Sequence, residues 1–371
     1  MKIDYITWMK NLDRELFKKA DIYPLLSSAV DPPIDLLIEH LGLFPTEARD
    51  RIDEHYAYGH CRLKENIAAR YSTKFENVFT TNGASNGIYL VCRLLLDKGA
   101  QVVIESPVYQ PLLAAPDFIG CKIACLKRRA PDYLIDFDEL NQAITPDTRL
   151  VILANPHNPS GTLLSDDYLL KIAETAKAKN KNIRILIDEI YHDFVPGKPK
   201  PAALLDNCFI TLNSLTKVYG LGIIHCGWVI SEKEIIDKLK HLHIIIEGCG
   251  SRLLDSFSSL LIEKLDIYLN RSHTLMAENR KILTECIQPL FNQGLMSGAI
   301  PSYGCIYFPK ISNLADTRTF ADELARKYKV YIVPGYFFGE PGHIRMGFGA
   351  DAKRLRRNTQ KFVEAVSVIL K

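Results

Sequence analysis

The run Ile183-Arg184-Ile185-Leu186-Ile187-Asp188-Glu189-Ile190-Tyr191 sets an apolar strand directly before a carboxylate, with a tyrosine three residues further on. So short and nearly continuous an apolar run reads as a strand covered on both faces. Similar runs surround it: Val102-Val103-Ile104-Glu105, Leu150 to Ala154, and Phe209 to Leu212. Helix-like patterns such as Tyr168 to Lys179 lie between them, from about residue 60 to 245. Short apolar strands alternating with helices predict an α/β fold, a mainly parallel sheet between helices. After about residue 250 the pattern changes. A long helical stretch covers Leu253 to Cys286, followed by Gly304-Cys305-Ile306-Tyr307-Phe308, a helix at Thr319 to Lys329, a strand at Val330 to Val333 and a last helix at Ala352 to Leu370. This predicts a smaller C-terminal α+β domain. The 371 residues exceed what one core usually serves. The expected division is residues 1–45 as an N-terminal arm contributing to the small domain, 46–250 as the large domain and 251–371 as the small one.

Composition narrows the function by exclusion. A net charge of +3 gives no argument for nucleic acid or an anionic membrane. No window reaches the roughly 18 uninterrupted apolar residues of a membrane span, and Met1-Lys2-Ile3-Asp4-Tyr5 has no signal-peptide core. The nine cysteines are scattered without a CxxC pair, so neither a metal site nor a disulfide framework is expected. Several, such as Cys92 and Cys208, sit in apolar runs as small core residues. This favours a reducing compartment, and the cytoplasm is the expected location.

The chemically distinctive residues fall at the C-terminal ends of the expected strands, where open α/β sheets bind small molecules. Lys217, in Leu212-Asn213-Ser214-Leu215-Thr216-Lys217-Val218-Tyr219-Gly220, follows a buried strand amid small and hydroxylated residues, an odd place for a solvated lysine. A partly desolvated lysine can react as a neutral amine. Asp188 at a strand tip can pair with a ring-nitrogen cation, or simply cap a helix. Asn155-Pro156-His157-Asn158-Pro159-Ser160-Gly161 makes a rigid turn that can aim Asn158. Thr81-Asn82-Gly83-Ala84-Ser85-Asn86-Gly87 opens a helical run, so its free N–H groups suit a phosphate. Tyr109, after Glu105-Ser106-Pro107-Val108, can stack on a planar ring. Arg345 stands inside the apolar run Ile344-Arg345-Met346 and needs a partner, for which a carboxylate is the best geometric match.

In this order the segments resemble the fold-type I pyridoxal 5'-phosphate (PLP) enzymes, specifically the class I/II aminotransferases, over roughly residues 53 to 350. The resemblance implies a large PLP-binding domain and transfer of an amino group from an α-amino acid to a 2-oxo acid, as in amino-acid biosynthesis. It implies that Lys217 carries PLP as a Schiff base and moves protons. Asp188 would hold the ring nitrogen protonated, while Tyr191 and Asn158 bind the phenolic oxygen. Tyr109 would stack on the ring; Ser214 and the loop of Gly83, Ala84 and Ser85 would take the phosphate; Arg345, with Asn158, would grip the substrate. It further implies a homodimer in which a tyrosine of one subunit completes the site of the other. In His55-Tyr56-Ala57-Tyr58-Gly59 that tyrosine is Tyr56, with Tyr58 the alternative. One position departs from the family pattern. Eight residues after the lysine, where a phosphate-binding arginine is usual, stands His225. An imidazole is shorter than a guanidinium and its charge depends on pH, so weaker or more pH-sensitive cofactor retention is expected. The constellation fixes the cofactor better than the reaction, and a decarboxylase, β-lyase or oxidase on the same fold stays open. The aromatics Tyr303, Tyr307, Tyr336, Phe337 and Phe338 suit an aromatic or apolar substrate side chain, and equally a small-domain core.

Overall fold

The computed structural model describes residues 4–16, 21–42, 55–56, 59–248 and 250–370. The chain opens with α1 (Asp4–Leu16) and the short β1 (Tyr23–Pro24). Then come α2 (Cys61–Tyr71), β2 (Val78–Asn82), α3 (Gly83–Leu95), β3 (Gln101–Ser106), α4 (Gln110–Ile119), β4 (Lys122–Lys127), β5 (Thr148–Ala154), α5 (Asp166–Lys179), β6 (Arg184–Asp188), β7 (Phe209–Ser214) and β8 (Cys226–Ile230). The seven strands β2 to β8 form one sheet in the order β2-β8-β7-β6-β5-β3-β4. β8 alone is antiparallel to its neighbours; every other adjacent pair is parallel. This is the mainly parallel sheet the sequence pattern predicts.

The apolar runs explain the layers. Successive residues of a strand point to opposite faces. Leu150, Ile152 and Ala154 of β5 join one core with Leu186, Ile210 and Leu212; Val151 and Leu153 join another with Ile185, Ile187 and Phe209. The first core is closed by α3 and by α6 (Lys233–Glu247), through Ile88, Val91, Ile235 and Leu239. The second is closed by α5 through Leu169, Ile172 and Ala176. Local signals set the helix starts: Ser165 accepts from the Tyr168 N–H at 3.2 Å, with Asp166 and Asp167 in the first turn of α5.

Beyond residue 250 the expected single helix is two, α7 (Arg252–Glu263) and α8 (Leu265–Asn292), divided at Lys264. No glycine or proline marks the break; packing makes it. α7 lies on α2, whereas α8 lies on the last helix, α9 (Ala352–Ile369). β9 (Ile306–Tyr307), β10 (Val330–Tyr331), β11 (Val333–Pro334) and β12 (Ile344–Gly347) supply small sheets. The expected strand at Val330 to Val333 is thus two short strands: β10 pairs in parallel with β1, while β11 pairs with β12. The expected helix at Thr319 to Lys329 is α-helical over Arg318–Glu323 and widens to a π turn over Leu324–Tyr328.

The segment after β1 is threaded between the β7–β8 connection and β12. The Gly347 N–H donates to Leu25 O at 2.8 Å, the Val30 N–H to Lys217 O at 3.1 Å and the Asp31 N–H to Gly349 O at 2.8 Å. Ser27 to Val30 are thereby held against both the β7–β8 connection and β12.

Candidate active site

Because β2, β3, β5, β6 and β7 run in one direction, their final residues share one edge of the sheet. Asp188 is the last residue of β6 and Ser214 the last of β7. The Asn155 turn follows β5, the Tyr109 loop follows β3, and Gly83 begins α3 directly after β2. β8 starts at the same edge, with Cys226 opposite Asn82 and Gly227 opposite Ser214.

Lys217 is partly covered, and its Nζ donates to Ser28 Oγ at 3.0 Å. Loss of hydration lowers its pKa, and the positive Arg345 lowers it further, against the opposing pull of Asp188. Asp188 is only 3% exposed and accepts from the Ile190 N–H at 3.1 Å. Burial lifts its pKa to about 6, although that N–H and Lys217 pull the other way. Tyr191 is buried and donates to Ser28 O at 2.8 Å, so Ser28 holds both it and Lys217. Asn158 is buried with no partner for its Oδ1.

The end of the sheet beside α3 is shaped for an anion. No side chain caps α3, which leaves its first N–H groups to another acceptor. Gly227 lets β8 run beneath them: a Cβ there would lie 2.6 Å from Gly83 C and 2.9 Å from Ala84 N. Ser214 is fully buried nearby, its Oγ accepting from the Thr216 N–H at 3.2 Å. His225 is exposed, in the left-handed region at φ 52°. Tyr58 lies outside the described residues, as does the side chain of Tyr56.

Arg345 is 0% exposed, and among the described residues no acidic group pairs with it. Its Nη2 donates to the Tyr5 hydroxyl at 2.7 Å and to Leu26 O at 3.3 Å, while Nε and Nη1 have no partner. Buried, unpaired guanidinium donors cost free energy that an incoming carboxylate would relieve. Lys217, Tyr109, Tyr5 and Ser27 to Ala29 line one cavity of about 550 Å³.

Three supports went unread in the sequence. Ser28 and Tyr5 reach the site only through long-range packing, and a small polar pair after Leu25-Leu26 is a faint signal. The third is a buried ion pair: Arg128 Nη1 meets Glu105 Oε2 at 2.7 Å, and Glu105 Oε1 accepts from the Ala154 N–H at 2.7 Å. It ties the ends of β3 and β5 together. His157 Nε2, 2.8 Å from Pro107 O, joins the two loops above them.

An amine of lowered pKa, a buried carboxylate at a strand tip, an uncapped helix start and an unpaired buried guanidinium together fit PLP and an amino acid. They define a class of enzyme that works through a lysine-borne carbonyl cofactor. Residues 52–362 match the family described as aminotransferase class I and II, and the chain belongs to it. It is 26% identical to an aspartate aminotransferase of Pyrococcus horikoshii, over 96% of this chain and 93% of that protein. It is also 26% identical to a capreomycidine synthase of Streptomyces vinaceus, over 80% of this chain and 76% of that one. A PLP-dependent aminotransferase from Streptococcus suis superposes with a TM-score of 0.84 at 25% identity, covering 94% of each chain. The protein is a PLP-dependent aminotransferase, and its substrates are amino acids and 2-oxo acids.

Proposed function

We propose that transamination runs through Lys217, with an α-amino acid bound by Arg345. The observation that supports this most strongly is a desolvated amine on the same cavity as Tyr5, whose hydroxyl is bonded to a buried guanidinium with unpaired donors. When bound, PLP supplies an electron sink for the bond electrons released at the substrate Cα. The chain's own residues do the rest. Lys217 Nζ holds the cofactor and carries a proton from and to the substrate carbon. Its lowered pKa keeps a larger share of it neutral near pH 7, as a base requires. Asp188, kept from water, pairs with the ring nitrogen and keeps it protonated. Asn158 and Tyr191 serve the phenolic oxygen; Tyr191 must turn its hydroxyl from Ser28 O to do so. Gly83, Ala84, Ser85, Ser214 and His225 take the phosphate, and Tyr109 covers the ring.

The finer architecture follows the same reading: an arm at 1–45, a large domain at 46–250 and a small one at 251–371. A second copy of the chain completes each site through Tyr56, with Tyr58 the alternative. Ile244, Ile245, Ile246, Leu253 and Leu254 stand exposed at the end of α6 and the start of α7, and support a covered surface there. No helix of the described residues is long and apolar enough to cross a membrane, and every described cysteine is free. Both support a cytoplasmic setting. A different PLP reaction at Cα draws its support from the likeness to a capreomycidine synthase. Mixing the PLP-loaded protein with a panel of amino acids separates the two. Transamination converts the absorbance to that of pyridoxamine phosphate, and addition of a 2-oxo acid restores it. Product release without that conversion would overturn the reading.

A further inference from the structure

We infer that Tyr5 of α1 is a substrate-binding residue that sets side-chain specificity, selecting amino acids with aromatic or extended apolar side chains. The inference rests on the reading of Arg345 as the carboxylate site. α1 is docked over that site from two sides. The Tyr5 and Ile6 N–H groups, free at the helix start, donate to Gln110 Oε1 at 3.1 and 3.3 Å. Gln110 is the residue after Tyr109. On the other side the Tyr5 ring packs against Phe337 and Phe338, with centroids 5.6 Å apart in each case. It meets Tyr109 edge-on at 6.2 Å and 78°.

Two properties follow from this seat. The first is polar. The Tyr5 hydroxyl accepts from Arg345 Nη2 and so has its proton free to donate. A substrate carboxylate that takes the vacant Arg345 donors meets that O–H beside them. Tyr5 and Arg345 are both buried, so the hydroxyl adds a hydrogen bond to a charged group shielded from bulk solvent. The second is apolar. The cavity beneath Tyr5 is walled by Ile6, Met9, Ile22, Pro24 and Leu26, and among the described residues no arginine lines it. Among the described residues its one cation besides Lys217 is Lys10, which is exposed. A second carboxylate on the substrate would be desolvated there without a buried partner, whereas an aromatic ring finds edge-on and offset contacts.

The test uses carboxylates that cannot react, so it does not depend on turnover. Calorimetry on the PLP-loaded protein compares 3-phenylpropionate with succinate, for the wild type, Tyr5→Phe and Tyr5→Ala. Expected are at least tenfold tighter binding of 3-phenylpropionate than of succinate by the wild type, and a loss of about tenfold for both ligands in Tyr5→Phe with the ratio kept. In Tyr5→Ala the ratio collapses toward one. Both variants keep the lysine-dependent cofactor absorbance of the wild type. Any other pattern of affinities overturns the assignment. A protein that gives the expected ratios but converts no amino acid would leave Tyr5 in place and remove transamination; conversion with the wrong ratios does the reverse.

Discussion

Asp188 should make the cofactor-free protein less stable than it could be. The carboxyl is sealed from water at the tip of β6, and its pKa rises from 3.8 to about 6. The folded state therefore holds the proton more tightly than the unfolded chain does. Between about pH 4 and pH 6 the unfolded chain gives up that proton first, so stability falls as the pH rises through this window and stays low above it. Each pH unit of the rise is worth about 1.4 kcal/mol, which puts the full cost above pH 6 at about 3 kcal/mol. Asp188→Asn keeps an acceptor for the Ile190 N–H and carries no charge. Its apoprotein should gain about 3 kcal/mol over wild type at pH 7 to 8, with the gap closing toward pH 4. PLP should reverse the order, because the ring-nitrogen cation gives the wild-type carboxylate a partner that asparagine cannot match. Urea unfolding of both apoproteins across that pH range, repeated with saturating PLP, measures this. An apo variant no more stable than wild type at neutral pH, or a gap that does not change with pH, refutes the reasoning. The pattern is that of a site whose charges are held at the expense of stability until the ligand arrives.

Two further outcomes follow from the anion end of the sheet. Gly227→Ala would drive a Cβ into Gly83 C and Ala84 N, and strand and helix start must separate; unfolding should show a loss of about 1–3 kcal/mol and PLP affinity should fall with it. Unchanged stability and affinity would show that the strand does not support the phosphate loop. His225→Arg puts a longer, permanently charged guanidinium in place of a short ring at the left-handed position, so PLP should bind more tightly. Equal affinities for the two proteins would mean that His225 does not serve the phosphate.

The sheet was readable because its strands are covered on both faces. Nothing but apolar residues suits Leu150 to Ala154, and the change to Asn155 marks where cover ends. Asp188 and Arg345 were visible as charged residues set at the end of or within apolar runs, where an unpaired charge is costly, and Lys217 as a lysine amid small and hydroxylated residues just past a buried strand. The break at Lys264 was hidden, because the sequence there is as helical as its flanks and only the diverging contacts of α7 and α8 impose it. Ser28 and Tyr5 were hidden for a related reason. Ser28 acts on Lys217 from 189 residues away, and Tyr5 acts on Arg345 from 340 away. Neither separation leaves a local pattern. An amphipathic helix shows that α1 has a buried face, but not that the face closes a site.

The central claim is that one lysine of the chain carries the cofactor. Borohydride reduction of the PLP-loaded protein fixes the cofactor to whichever amine holds it, and peptide mass spectrometry then identifies that residue. The account predicts one pyridoxyl group, on Lys217, and no lysine-dependent absorbance in Lys217→Ala. A pyridoxyl group on another lysine, or none on a protein saturated with PLP, contradicts it.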